Sequence, residues 1–265
     1  MEAEVISVRR LIGVLLSLLI GGSAVASEVT VTFLGHSCFT IQELGGPIVM
    51  IDPYGRYVPY PALPRPADIV LITHFHIDHC PYCYGENDRV EGDPIVVYGL
   101  DESGRCREKI PPATWLITET FQTSAIEASH VTANGGGQGY VCMFSFEVGG
   151  IRFAHLGDLG TTLSSAQRSA LSNVDVLFIP VGGAYTLNAA EAMTVVAQLP
   201  SVRVAIPMHY YVDGFTPWSA MQPVSTFTAL AGLMYPVEEI DGSSVVLDSN
   251  DLTDATEVWV LDYER

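Results

Sequence analysis

The run Thr73-His74-Phe75-His76-Ile77-Asp78-His79 sets three imidazoles and a carboxylate almost side by side. Imidazole and carboxylate are the donors that zinc, iron and manganese prefer, and packing does not call for them at this density. In an extended segment His74 and His76 point the same way, and a following turn can bring Asp78 and His79 round to face them. The chemistry expected is that of a bound divalent cation, which acidifies a water and polarises a scissile oxygen.

One short run cannot surround two ions, and further donors stand where other predicted strands end. His130 follows the strand Ser124–Ser129, and His209 follows Val202–Pro207. Asp158 lies in Gly157-Asp158-Leu159-Gly160, just past Ile151–His155, where glycines free the backbone to aim a carboxylate inward. Asp52, at the end of Ile48–Ile51, could accept the second N–H of a ligating imidazole or cap a turn. His36 and His155 could serve that same outer role or be buried structural residues. Gly182-Gly183-Ala184-Tyr185-Thr186 could offer backbone N–H groups and a phenol to a substrate oxyanion, or form a turn into the next helix. Tyr185, Tyr210 and Tyr211 are the candidate phenols.

The order His74-x-His76-x-Asp78-His79, His130, Asp158, His209 resembles the metallo-β-lactamase superfamily. More narrowly, Leu34-Gly35-His36-Ser37-Cys38-Phe39, Ile51-Asp52-Pro53, Ala154-His155-Leu156-Gly157-Asp158, Ile179-Pro180-Val181-Gly182-Gly183 and Ile206-Pro207-Met208-His209-Tyr210 resemble metal-dependent hydrolases similar to L-ascorbate-6-phosphate lactonase. The resemblance runs from Val29 to Tyr211. It implies an α/β fold, a four-layer αββα sandwich with two divalent metals at one edge. Zn2+ is the expected metal, with Mn2+ or Fe2+ as alternatives. His74, His76 and His130 would hold the first ion, Asp78, His79 and His209 the second, and Asp158 would bridge them. Three neutral imidazoles leave a tetrahedral ion one open position for water. The implied activity is hydrolysis of an ester, lactone, amide or phosphoester in a small-molecule or lipid substrate. A hydroxide shared by the two ions would attack, with Asp78 and Asp158 as the catalytic carboxylates and Asp78 orienting the nucleophile or shuttling its proton. Two other functions stay open: a phosphodiesterase or phospholipase-D-like envelope enzyme, and a non-catalytic metal-binding envelope protein. For the first, Arg56, Arg65 and Arg203 are candidate phosphate holders.

Strands and turns must carry these residues to one place. Val29–Leu34, Cys38–Gln42, Ile48–Ile51, Ile69–Ile72, Ile95–Tyr98, Ser124–Ser129, Tyr140–Glu147, Ile151–His155, Asp175–Ile179, Val202–Pro207, Val245–Asp248 and Glu257–Leu261 read as strands. Ile69–Ile72 is apolar throughout, as a strand buried on both faces would be. Helices are expected at Leu163–Leu171 after a Thr161-Thr162 cap, and at Ala189–Leu199, where Asn188 and Glu191 form a capping box. Hairpins first, then strand–helix–strand units, suggest layered sheets with helices outside. Substrate choice is expected of the loops Tyr54–Arg65 and Tyr82–Arg107, since function on such folds lives in grafted loops.

The 265 residues, 48% hydrophobic, exclude disorder, and a net charge of −18 argues against a nucleic-acid partner. Residues 27–265 read as a single domain. Arg9-Arg10, the apolar run Leu11 to Ile20 and small residues at Ala24 and Ala26 read as a signal peptide spanning residues 1–26, leaving no membrane span after its removal. The expected location is periplasmic or secreted. Export permits disulfides, and one bridge among Cys80, Cys83 and Cys106 is expected, its pairing left open by the spacing.

Overall fold

The computed structural model describes residues 27–107 and 121–264. The expected leader, residues 1–26, lies outside them. The first half carries β1 (Val29–Gly35), β2 (Cys38–Glu43), β3 (Ile48–Ile51), β4 (Arg65–Pro66), β5 (Ile69–Ile72), β6 (Val90–Glu91) and β7 (Ile95–Tyr98). The second carries β8 (Thr123–Ser129), β9 (Tyr140–Val148), β10 (Ile151–His155), β11 (Val176–Pro180), β12 (Val204–Met208), β13 (Val237–Ile240), β14 (Ser244–Leu247) and β15 (Glu257–Leu261). Helices α1 (Ser165–Ala170), α2 (Ala189–Gln198) and α3 (Val224–Ala231) accompany them.

The strands form two large sheets, ordered β14-β1-β2-β3-β5-β7 and β13-β15-β12-β11-β10-β9-β8, with β4 and β6 paired separately. Period-two alternation decides which face each side chain takes. On β1, β3 and β5 the residues Val29, Val31, Phe33, Val49, Ile51, Ile69 and Leu71 enter the core shared by both sheets. Their neighbours Leu34, Met50, Val70 and Ile72 point to the opposite face. That face is covered by Tyr54, Val58, Tyr60, Ala62 and Leu63, whereas helices belong to the crossovers of the second sheet. Strands β11 and β12 are buried along their whole lengths, as parallel strands between two layers must be. The architecture is the expected α/β sandwich of facing sheets.

Sheet sense explains where the chemistry collects. β1 and β3 are each antiparallel to β2, so they run together, and β3 is parallel to β5. β8 and β10 are both antiparallel to β9, and β10, β11 and β12 are mutually parallel. The C-terminal ends of β1, β3 and β5 deliver His36, Asp52 and His74; those of β8, β10 and β12 deliver His130, Asp158 and His209. Parallel strands present such ends along one edge, where α/β sheets build ligand sites.

Helix α2 starts as expected, with Asn188 accepting from the N–H groups of Ala190 and Glu191 while Glu191 returns to the Asn188 N–H. Helix α1 starts later than the Thr161-Thr162 cap: Ser164 and Gln167 form the capping box. Helix α3 and strand β13 were not anticipated. The first is rich in β-branched residues behind Pro223, and Glu238 and Glu239 interrupt the apolar pattern of the second. The one bridge expected among Cys80, Cys83 and Cys106 is Cys80–Cys83, and a second, not expected, joins Cys106 to Cys142. Cys142 lies on β9, and only sheet packing brings it beside Cys106.

Candidate metal centre

All seven expected ligands converge. His74, His76, His130 and Asp158 can each offer a donor within 4.8 Å of the others. A second group of the same tightness holds Asp78, His79 and His209, with His36 as a fourth member. Asp158 joins the two. Its Oδ2 lies 3.2 Å from His130 Nε2 and 3.6 Å from His74 Nε2, and its Oδ1 lies 3.1 Å from His79 Nε2 and 3.3 Å from His209 Nε2. The Asp78 Oδ2 stands 3.4 Å from His79 Nε2 and 3.8 Å from His209 Nε2.

Hydrogen bonds on the far side of the rings fix which nitrogens face inward. Asp52 accepts from the Thr73 N–H at 2.8 Å and Thr73 Oγ1 at 2.6 Å, and from His79 Nδ1 at 2.8 Å. With its proton committed to Asp52, Thr73 Oγ1 accepts from His74 Nδ1 at 3.0 Å. His74 and His79 therefore turn Nε2 toward Asp158, the outer carboxylate arrangement common around metals. Both expectations for Asp52 are met in one side chain, since it ties β3 to the Thr73 turn and orients His79.

His155 takes the structural role. Its Nε2 donates to the Ser37 carbonyl at 2.9 Å and its Nδ1 accepts from the Gly157 N–H at 3.2 Å, bracing the loop that carries Asp158. His36 enters the cluster instead, its Nε2 3.0 Å from Asp78 Oδ2 and its carbonyl accepting from the His209 N–H at 2.8 Å.

The backbone around the centre is strained. Among the described residues the non-glycine residues at positive φ are His36, Asp52, Ala184 and His209, all beside the cluster or its pocket. Such conformations persist where surrounding structure over-determines them, and they gather at functional sites.

Charge in the centre is tightly balanced. Burial would lower the His209 imidazole, but Asp158 and Asp78 beside it raise it to about 9. His79 is raised against its burial by Asp158, Asp78 and Asp52. The Asp158 and Asp78 carboxyls fall well below the usual range despite burial, held there by His209 and His79. His36 is lowered to about 4 by burial and by His209. Buried and without a hydrogen-bond partner are His79 Nε2, both nitrogens of His130 and of His209, and Asp158 Oδ1. Ionised carboxylates and imidazole nitrogens converging in a buried cluster are a donor set that divalent cations satisfy, displacing the imidazole protons on binding. The residues fit the expected metals.

The centre floors a pocket of about 470 Å3, walled by Gly135, Gly136, Gly137 and Gln138 on the loop after β8 and by Ile77, Tyr84, Tyr185 and Trp218. Gly136 and Gly137 are required: a Cβ there would lie 1.8 Å from the Ala184 carbonyl oxygen and 2.0 Å from that of His130. The run Asn134-Gly135-Gly136-Gly137 was the available signal for this wall, whereas nothing local marks Trp218.

The Gly182–Thr186 segment takes the second of its two expected roles and forms a turn: the N–H groups of Tyr185 and Thr186 bond to the Gly183 carbonyl, and that of Gly183 to the Leu187 carbonyl just beyond it. Tyr185 lines the pocket, but Tyr210 and Tyr211 line a separate cleft. Of Tyr54–Arg65, Tyr54, Val58, Tyr60, Ala62 and Leu63 pack inward as core, and of Tyr82–Arg107 Tyr84 reaches the pocket. Arg56, Arg65 and Arg203 pair with Asp88, Glu264 and Asp175, away from the centre.

Fold, edge and donor set together define a metal-dependent hydrolase of the metallo-β-lactamase type. The chain belongs to that superfamily: the family model described as Beta-lactamase superfamily domain matches residues 30–209. It is 32% identical over 190 residues to a UPF0173 protein of Pyrococcus abyssi, covering 69% of this chain and 84% of that one. A UPF0173 metal-dependent hydrolase of Methanoregula boonei is 30% identical over 195 residues, covering 68% and 81%. A solved Thermotoga maritima structure, assigned as a Zn-dependent hydrolase of the metallo-beta-lactamase superfamily, superposes with a TM-score of 0.65. It shares 27% identity and covers 89% of this chain and 100% of its own.

Proposed function

We propose that this chain is an exported dinuclear zinc hydrolase that cleaves an ester, lactone, amide or phosphoester. The observation that carries the reading is Asp158, whose two oxygens face imidazole nitrogens of two separate clusters at 3.1–3.6 Å. One carboxylate so shared is what a pair of cations needs and a single closed structural site does not.

His74, His76, His130 and Asp158 would hold one ion; Asp78, His79, His209 and the same Asp158 would hold the other. Five imidazoles with two carboxylates suit zinc, with Mn2+ or Fe2+ the alternatives. Bound there, two divalent cations supply a water acidified toward neutral pH and a Lewis acid for the scissile oxygen. Asp78 orients the attacking water and takes its proton. His36 holds Asp78 through Oδ2, and Asp52 with Thr73 keeps His79 and His74 in the tautomers that face inward. The leader-like residues 1–26 and the two disulfides support a periplasmic or secreted setting.

Metal analysis of protein purified without chelator tests the reading, alongside turnover across esters, lactones, amides and phosphodiesters. Two bound ions per chain and cleavage of one bond class are expected. A protein that retains no divalent ion, or binds two and cleaves none of these bonds, refutes it.

A further inference from the structure

We propose that Trp218 is a stacking platform for an uncharged, ring-bearing group of the substrate, next to the bond that is cleaved. The inference deepens the hydrolase reading and rests on it for the position of that bond.

Trp218 is half-buried in the segment after β12 and lines the pocket beside His209. Its indole stacks at 5.4 Å on the His36 ring, which in turn lies 4.2 Å from His209. Tyr57 meets it edge-on at 5.7 Å and Tyr185 at 6.5 Å. The indole is thus wedged by aromatic rings at the lip of the cluster and kept in one orientation. Tyr84 stands on the same pocket, and the glycine wall Gly135–Gly137 adds no side chain. A cleft lined by aromatic side chains beside side-chain-free backbone accommodates a flat or apolar body, and stacking rewards a ring there.

The charge of that group follows from the lining. Among the described residues no lysine or arginine lines the pocket. Arg56, Arg65, Arg105, Arg152 and Arg203 pair with carboxylates elsewhere, and Arg89 is buried, donating to the carbonyls of Tyr54 and Leu63. Beyond the cluster itself and the ions it would hold, an anionic group reaching Trp218 would meet no cationic side chain, in a chain of net charge −18. A neutral ring meets no such penalty.

Non-hydrolysable ketones test the platform without turnover. Acetophenone offers a neutral ring, 4-acetylbenzenesulfonate an anionic ring and 2-butanone no ring; binding to the zinc-loaded protein is followed by saturation-transfer NMR titration. Acetophenone should bind about tenfold more tightly than either of the others. Trp218→Ala should erase the difference and Trp218→Phe restore most of it. Equal binding of the three ketones, or an unchanged ranking in Trp218→Ala, overturns the proposal. Hydrolysis is read separately on the wild type: acetophenone held through Trp218 with no bond cleaved refutes the hydrolase and leaves the platform, while turnover with no preference for the ring does the reverse.

Discussion

The imidazole of His36 lies 3.0 Å from the carboxylate of Asp78, although the two residues come from different strands' ends and are 42 positions apart. His36 reaches this position only through a left-handed backbone, φ 56°, and its own carbonyl secures the His209 N–H. A single residue therefore steadies two side chains of the same candidate ion site. His36→Asn tolerates the backbone but withdraws the ring. It should lower kcat about 10–100-fold and loosen one of the two ions, as loss of outer partners of metal ligands does. His36→Gln, with a donor nearer the reach of Nε2, should recover part of both. Calorimetric zinc titration beside steady-state kinetics reads this; unaltered affinity and kcat in His36→Asn would show that the contact is only structural.

Asp158 is the link between the two clusters, so Asp158→Ala should bind one ion instead of two and lose about a hundredfold or more in kcat/KM. Its circular dichroism should match the wild type, because His155 and Gly157 still brace the loop. Two ions retained with full turnover would dismiss the bridge.

The chelated protein should be most stable near neutral pH. The His36 value, lowered to about 4 by burial and His209, means that its contribution is complete above about 6.5 and disappears as acid protonates the buried ring toward pH 4. The His209 value, raised to about 9 by Asp158 against its burial, makes a contribution that is complete below about 6.5 and disappears as the pH rises through 9. Thermal unfolding in chelator at pH 4.5, 6.5 and 9.5 should show the highest midpoint at 6.5; a midpoint that climbs steadily in either direction contradicts this.

The Cys106–Cys142 bridge spans 36 positions and ties the strand β9 to the segment after β7. A closed loop of that length constrains the unfolded chain by about 3–4 kcal/mol. Cys106→Ser with Cys142→Ser should therefore shift the urea midpoint down by an amount matching that loss while leaving metal content unchanged. No shift in midpoint would mean that the cysteines are not bridged in solution.

Gly136→Ala places a methyl 1.8 Å from the Ala184 carbonyl oxygen, a backbone atom that cannot swing aside. About 1–3 kcal/mol of stability should go, as in other overpacked sites. The wall of the pocket should move with it, raising KM. An unchanged denaturation curve would place the loop elsewhere.

Much of the centre was legible in the chain itself. The 73–79 run declares metal chemistry through composition and spacing, and His130, Asp158 and His209 follow strands whose apolar patterns are plain. The Asn188–Glu191 box starts α2 where local hydrogen bonding says it must. These features are set within a few residues, by donor chemistry, side-chain alternation and capping, so sequence by itself determined the candidate ligands and most strands. Other features exist only between distant segments. Whether His36 or His155 joins the cluster depends on which ring finds partners at Ser37 and Gly157 and which finds Asp78. The pairing of Cys106 with Cys142, the inward packing of Tyr54–Leu63 and the presence of Trp218 above His36 depend on sheet packing. Tertiary structure decided those, because they arise from through-space contacts whose chain separation leaves no local pattern to read.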